Sequence, residues 1–305
     1  MARSIYGRSE TLKQYAAGLS QDAQANSLAD FIAPRVVTGI ANGQYKTFSD
    51  KNAFLAPDAS RAVGGKARRI SFGSGDAYFN CAPYALEVAI DEYERQAAGD
   101  DQELLEQAKT RAVITQAILA HEKAVFAAVN AAVSATASVG DWDNDSTDPI
   151  AEIDAQIEAI ATATGMLPNR MVLGLSAFKA LRHNAKVIAR MPGSTLIGAT
   201  PSQIAAMTLN PQMDIRVGVL SADAYKAGKT ASKANIVGGE CYIFCASDNP
   251  TQYDPSFAKT FSAAPGSVFD VRVYQDDPRT DVIAVDWTVD IKVVAAAACR
   301  RITMS

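Results

Sequence analysis

Residues 101–133 read DQELLEQAKTRAVITQAILAHEKAVFAAVNAAV, with no glycine and no proline anywhere in the run. Leu104, Ala108, Thr115, Ile118, Val125, Val129 and Val133 recur at helical spacing, which predicts one long helix. At 1.5 Å per residue it would be roughly 50 Å long, against the ~30 Å span of a small domain. A helix of that length is a spine that other elements lie across. A coiled coil is the rival, and it fails: the apolar positions are mostly alanine, with no sustained heptad of Leu or Ile.

Toward the N-terminus, residues 84–98 read as a second helix. Leu86, Val88 and Ile90 are its apolar residues, and Glu87, Asp91, Glu92 and Glu94 make a dense acidic face. Gly99, Asp100 and Asp101 are read as a break, with an aspartate as N-cap of the spine and Glu103 favourable in its first turn. Residues 41–80 look like a long two-stranded excursion. Gln44 to Phe48 alternates, Gly64-Gly65 marks a turn, and Ala67 to Phe72 is the candidate returning strand. A hairpin alone is marginal in water, so this one is expected to lie on its own domain or on a neighbouring copy. Residues 1–40 read as an extended arm with one or two weak helical turns and a short apolar stretch at Leu28, Phe31, Ile32 and Pro34 to Val37.

Toward the C-terminus, Ser134 to Thr147 is a loop. Asp148-Pro149 opens a helix, as N-cap and first helical residue. Ile150, Ile153, Ile157 and Ile160 form its buried stripe, and Gly165 stops it. Pro168-Asn169 turns into a strand at Met171 to Leu175, and Ser176 caps a helix from Ala177 to about Arg190. Further strands are expected at Asp214 to Leu220 and Glu240 to Ala246. Near the end, Ile283, Val285, Trp287, Val289, Ile291 and Val293 alternate with polar residues, the pattern of a strand with one buried face. Val268 to Tyr274 is its antiparallel partner through the Gln275–Pro278 turn.

The chain of 305 residues suggests about two subdomains. It is 48% hydrophobic and 20% charged, as folded soluble proteins are. The N-terminus carries no secretory apolar stretch, so a cytosolic, soluble protein is expected. The uninterrupted apolar runs, such as Ala124 to Val129, are far short of the ~20 residues of a membrane span. Net charge is −4 but uneven: +4 over residues 1–80, −12 over 81–160 and +4 over 161–305. Opposite charge in two parts of one chain allows attraction between copies, although a solvated acidic face explains the same numbers.

Residues for catalysis or metal binding are sparse. His121 and His183 stand alone. Cys241 and Cys245 would share one face of a strand, but no second pair completes a zinc site, and Cys81, Cys241, Cys245 and Cys299 are expected as core thiols. Gly228-Lys229-Thr230 lacks the first glycine of a phosphate loop, since Asp223 stands there, and reads as an exposed loop. The loop Asp141 to Asp148 lacks the EF-hand pattern and reads as a solvated turn. Lys66, Arg68 and Arg69 form a small basic cluster without a base-reading motif. The expectation is no enzyme and no cofactor.

The order of parts resembles the major capsid proteins of tailed bacteriophages, a fold shared with encapsulin nanocompartments and the herpesvirus capsid floor. Phe31 to Val37 is similar to that family's early Phe-x-x-Pro segment, and Gly43-Gln44-Tyr45 to the entry of its E-loop. Tyr84-Ala85-Leu86-Glu87 with Asp91-Glu92 resembles the helix before the spine. Trp142, Asp148-Pro149, Ile153, Gly165, Pro168-Asn169 and Leu181-Arg182-His183 resemble the entry to the axial domain. One departure is Asn184, where many relatives have proline after the histidine. Another is that no removable scaffolding segment is evident before the spine.

The resemblance implies an α+β fold with an N-terminal arm (1–40) and an E-loop hairpin (41–80). A peripheral domain (81–145, spine 101–134) and an α/β axial domain (146–255) follow, and residues 256–305 return to the peripheral domain. It implies hexamers and pentamers of the chain tiling an icosahedral virion shell around double-stranded DNA, without sequence-specific binding and without a membrane. A separate scaffolding protein, a portal and decoration proteins are its implied partners, and assembly takes place in the host bacterial cytoplasm. Arg61, Lys66, Arg68 and Arg69 are expected to meet Glu87, Asp91, Glu92 and Glu94 of an adjacent copy. An encapsulin-like shell is the alternative, and a cytosolic α/β enzyme the distant one.

Overall fold

The computed structural model describes residues 27–47, 60–61, 64–66, 75–138, 141–191, 198–223, 232–263 and 268–304. The candidate returning strand at Ala67 to Phe72 and the loop at Gly228 to Thr230 lie outside them. In chain order, the first elements are α1 (Ala29–Ile32), β1 (Arg35–Val37), β2 (Asn42–Thr47), β3 (Gly75–Asn80) and β4 (Ala82–Asp91). Next come α2 (Glu92–Ala98), α3 (Gln102–Ala132), β5 (Ala135–Ala137), α4 (Pro149–Thr164), β6 (Arg170–Gly174), α5 (Leu175–His183) and α6 (Ala185–Arg190). The chain continues through α7 (Pro201–Met207), β7 (Asp214–Gly218), β8 (Ser221–Asp223), β9 (Lys233–Asn235) and β10 (Glu240–Phe244). It ends with β11 (Ala258–Ser262), β12 (Asp270–Asp277), β13 (Thr280–Val293) and β14 (Cys299–Thr303). Two compact units result, the first drawn from Met1–Gly43, Phe79–Ala128 and Thr260–Lys292, the second from the remainder.

In the first unit the expected spine is present as α3. It lies across a sheet ordered β1-β11-β13-β12, with β4 also paired to β13. Val113, Ile114, Ala117 and Ile118 of α3 pack on Ile90, Val271, Ile283, Val285, Trp287 and Val289. Each large aliphatic side chain so buried contributes about 1.5–3 kcal/mol. The stretch Glu92–Ala132 is long and apolar enough to cross a bilayer by length and composition, yet the sheet takes up this apolar stripe.

Three expectations are corrected here. Residues 84–91 are strand, not helix: Leu86, Val88 and Ile90 recur every second residue and face the core, so the acidic helix begins only at Glu92. Gly99–Asp101 forms a 3-10 turn leading into the spine rather than a break. Strand β13 is buried at every position from Asp281 to Val285, both faces included, and alternates only from Asp286 onward. The segment read as an arm also differs from Ser27 onward. Leu28, Ala29, Phe31 and Ile32 are buried, and β1 adds in parallel to β11.

The second unit is built on a sheet ordered β5-β14-β10-β6-β7. Its inner strands carry unbroken apolar runs, Met171-Val172-Leu173 and Cys241-Tyr242-Ile243-Phe244, all buried, as strands covered on both faces do. Helix α4 begins as expected: Asp148 caps it, Pro149 is its first residue, and Gly165 ends it at φ 69° in the left-handed region. Its four isoleucines are all buried. Gly174 ends β6 where a Cβ would lie 1.9 Å from the Gly238 carbonyl, so only glycine fits beneath that crossing loop.

The helix expected over 177–190 is two helices. Asn184 leaves helical geometry at ψ 131° and caps α6 through its side chain, while α5 starts at Leu175 without a serine cap. Cys299–Thr303 does not return to the first sheet with the rest of residues 256–305. It pairs antiparallel with β10 in the second sheet, where Cys299 and Ile302 are buried.

Candidate assembly surfaces

The foot of the excursion is anchored in the first unit. Phe79 stacks on Phe261, Cys81 donates its amide to Ala41 O at 2.8 Å, and the Asn80 amide donates to Asp290 Oδ2 at 2.7 Å. Beyond the foot, among the described residues, β2 pairs with β3, Tyr45 is buried, an ion pair joins Lys46 to Asp76, and Thr47 Oγ1 donates to Gly75 O at 3.0 Å. Tyr78 on β3 is 70% exposed.

Of the four basic residues expected to make contacts, Arg61 and Lys66 are exposed beside a turn at Gly64, and Arg61 donates to Gly65 O at 3.1 Å. Arg68 and Arg69 lie outside the described residues. The four acids are all exposed and follow one another along the chain: Glu87 and Asp91 on β4, Glu92 and Glu94 on α2. Their strand-to-helix arrangement gives them local roles as well. Asp91 accepts the Tyr93 amide at 2.7 Å, and Glu94 closes a capping box with the Asp91 amide. Lys109 donates to Glu94 at 2.6 Å, and this bond does most to hold the Glu94 carboxyl below its usual range. Glu87 bonds the Tyr274 hydroxyl. Desolvation first, then this bond and the charges of Glu87 and Asp276, raise the Tyr274 phenol. Arg95 pairs with the buried Asp281.

In the second unit the acidic loop 141–148 is held by its own polar groups. The Asn184 amide donates to Trp142 O at 3.0 Å, Asn144 O at 3.2 Å and Thr147 O at 3.3 Å. Asp145 accepts the Ala185 amide at 3.1 Å, and Asp148 receives two bonds from Arg190, at 2.9 and 2.7 Å. Fully buried Trp142 donates to Glu152 at 2.7 Å. In the sequence Asn184 stands out only as a departure from the resembled pattern; its hydrogen bonds depend on a fold that brings residues about 40 positions apart together.

The four cysteines are buried free thiols. Desolvation pushes Cys245 up to about 11 and raises Cys241 and Cys299 further. Such thiols are poor nucleophiles and poor metal ligands at neutral pH. Among the described residues no group of three or more His, Cys, Asp or Glu side chains is placed to hold a metal ion.

No protein-family model matches the sequence, and no curated protein matches it. The fold has clear relatives among solved structures. A phage-related protein from Bordetella bronchiseptica RB50 superposes with a TM-score of 0.71 at 21% identity, over 93% of this chain and 95% of that one. The mature capsid of bacteriophage PhiM1 gives 0.57 at 12% identity over 92% and 87%. A virus-like particle from Pyrococcus furiosus gives 0.57 at 9% identity over 96% and 98%. The long helix laid across one sheet, the second α/β unit and the anchored hairpin are therefore parts of one known architecture, and the chain has the fold of the phage capsid proteins.

Proposed function

We propose that this chain is a shell-forming structural protein, the major capsid protein of a tailed bacteriophage, and not an enzyme. The observation that carries the reading is fold likeness to a mature phage capsid subunit over 92% of the chain, both units included. In this reading hexamers and pentamers form around the 146–255 region and tile a closed icosahedral shell around double-stranded DNA. A two-stranded hairpin is marginal by itself, and this one gains stability by lying on a neighbouring copy. Arg61, Lys66, Arg68 and Arg69 supply positive charge, and the exposed Glu87, Asp91, Glu92 and Glu94 of the adjacent copy receive it. Contacts of this kind weaken with salt. A scaffolding protein, a portal and decoration proteins complete the assembly.

Negative-stain electron microscopy of the purified protein, with size-exclusion chromatography, tests the reading. Closed shells, tubes or rings of five or six copies support it. A protein that stays monomeric or dimeric at high concentration, with crude phage scaffold added, overturns it. Reversing Arg68 and Arg69 to Glu is expected to cut particle yield while the monomer stays folded, and an unchanged yield removes the charge contact from the model.

An encapsulin-like nanocompartment shell is the second reading, because the fold specifies a shell-forming subunit and not what the shell encloses. Small uniform particles loaded with protein rather than DNA would select it.

A further inference from the structure

Helix α3 carries a carboxyl group where an amphipathic spine calls for an apolar residue. Glu122 is 1% exposed, on the side of the helix that receives the chain at Ser27 and Leu28. Ser27 Oγ donates to Glu122 Oε2 at 2.9 Å across 95 residues of sequence, and the Leu28 amide also bonds the carboxyl. The same Ser27 hydroxyl accepts the Ala29 amide at 3.1 Å. One side chain thus ties the spine to the first residues of α1, whose turn is closed by the Ile32 amide on Leu28 O and the Ala33 amide on Ala29 O.

The charges around Glu122 do not favour its ionised form. Asp30, on α1, is of the same sign, and Arg35 beyond it acts on Asp30. On α3 itself, His121 packs edge-on against Phe269, and Lys123 is exposed. No ion pair joins Glu122 among the described residues. A buried carboxylate without a cation is costly, and the protonated form is not.

We propose that Glu122 is a proton-operated latch on the root of the N-terminal segment. Protonated, it holds Ser27 and Leu28 against α3. Ionised, it places a second negative charge beside Asp30, with no cation paired to it among the described residues, and loosens them. Desolvation, with the Asp30 charge, raises this carboxyl above its usual value of 4.5, against the Ser27 and Leu28 bonds that lower it. The docked state therefore holds the proton more tightly than the undocked state. Docking is strongest below the undocked value and weakens as pH rises from about 4.5 through the raised value. The inference stands on the first unit alone, whether or not the chain builds a shell.

Hydrogen exchange of the full chain from pH 4.5 to 7.5, corrected for intrinsic rates, tests it. Protection of the Ile32 and Ala33 amides is expected to fall with rising pH by up to about tenfold per unit inside the window, while the Ile114–Ile118 core amides lose no protection as pH rises. Glu122→Gln is expected to keep protection at its low-pH level throughout. Flat protection in the natural chain, or an unchanged slope in Glu122→Gln, overturns the latch. Should that variant not fold, Asp30→Asn serves: removing the like charge is expected to move the window to lower pH, and an unmoved window overturns the proposal.

Discussion

The ring of Phe79 lies flat on that of Phe261, centroids 4.5 Å apart and planes 8° from parallel, so the foot of the β2–β3 hairpin is seated on the wholly buried strand β11. Both rings are fully buried. Phe79→Ala is expected to lower unfolding free energy by about 3–5 kcal/mol, and Phe79→Leu by less. Urea denaturation measures the loss. Limited proteolysis in the hairpin is expected to quicken in parallel, and a loss below about 1 kcal/mol would show that the stack does not hold the foot.

Gly43 lies against the same ring. A Cβ built there would come 2.6 Å from Phe79 Cζ and 2.7 Å from Cε1. Gly43→Ala therefore forces the stack to shift, at about 1–3 kcal/mol. In a Phe79→Leu background the added methyl has no ring edge to meet, so most of that cost should vanish. A double-mutant cycle by urea denaturation reads the coupling, and full additivity would contradict the contact.

His121 is buried, and neither ring nitrogen has a hydrogen-bond partner among the described residues. Desolvation lowers it from 6.5 to about 4. The unfolded chain takes up this proton first as pH falls, so stability is kept above pH 6.5 and declines toward pH 4, by about 3 kcal/mol in all. His121→Leu is expected to gain on the natural chain progressively from pH 7.5 to 4.5 in urea melts. A gap that does not widen on acidification would mean that His121 is hydrated in the folded state.

How much of this was readable in advance depended on whether a signal was local. The spine was, since nothing in 101–133 interrupts a helix, and so was α4, whose Asp148, Pro149 and Gly165 each act within one turn. The stretch 84–91 was misread although its cue was present. Leu86, Val88 and Ile90 have a period of two, but Glu87 and Ala89 between them are good helix formers, and pairing with β13 overrode that propensity. Nothing local marks Cys299–Thr303 for the second sheet, because the choice rests on the fit of Cys299 and Ile302 beside β10. Of the candidate contact residues, the acids lie exposed on a strand end and a helix start rather than on one helix. Glu122 and Ser27 carried no signal, since each is an ordinary polar residue until the fold joins them.

Asn184 caps α6 and holds three carbonyls of the 141–148 loop. Asn184→Ala removes the cap, worth ~1 kcal/mol, and strands buried acceptors at ~1–3 kcal/mol more. The expected sum is about 2–4 kcal/mol by chemical denaturation, with a red-shifted Trp142 emission as the loop loosens. Loss of stability without any change at Trp142 would confine Asn184 to capping.

Lys259 is a fully buried cation. Its ammonium donates to Thr251 O at 2.7 Å and Asp254 O at 2.6 Å, and pairs with Asp254 Oδ1 at 2.9 Å. Burial lowers the Lys259 pKa against the pull of Asp254. Desolvation also works to raise Asp254, but the Ser256 hydroxyl and Lys259 outweigh it and bring that carboxyl down. The two ends of the pair are not equivalent under mutation. Asp254→Ala leaves the ammonium buried without its counter-charge, at about 3–5 kcal/mol. Lys259→Met removes the charge, keeps an unbranched apolar chain in the same space, and leaves two carbonyls to find other donors. It is expected to cost less, and the double variant to resemble Lys259→Met alone. Guanidinium denaturation of the three variants decides it: Asp254→Ala no worse than Lys259→Met would mean that the ammonium escapes to water when its partner is lost.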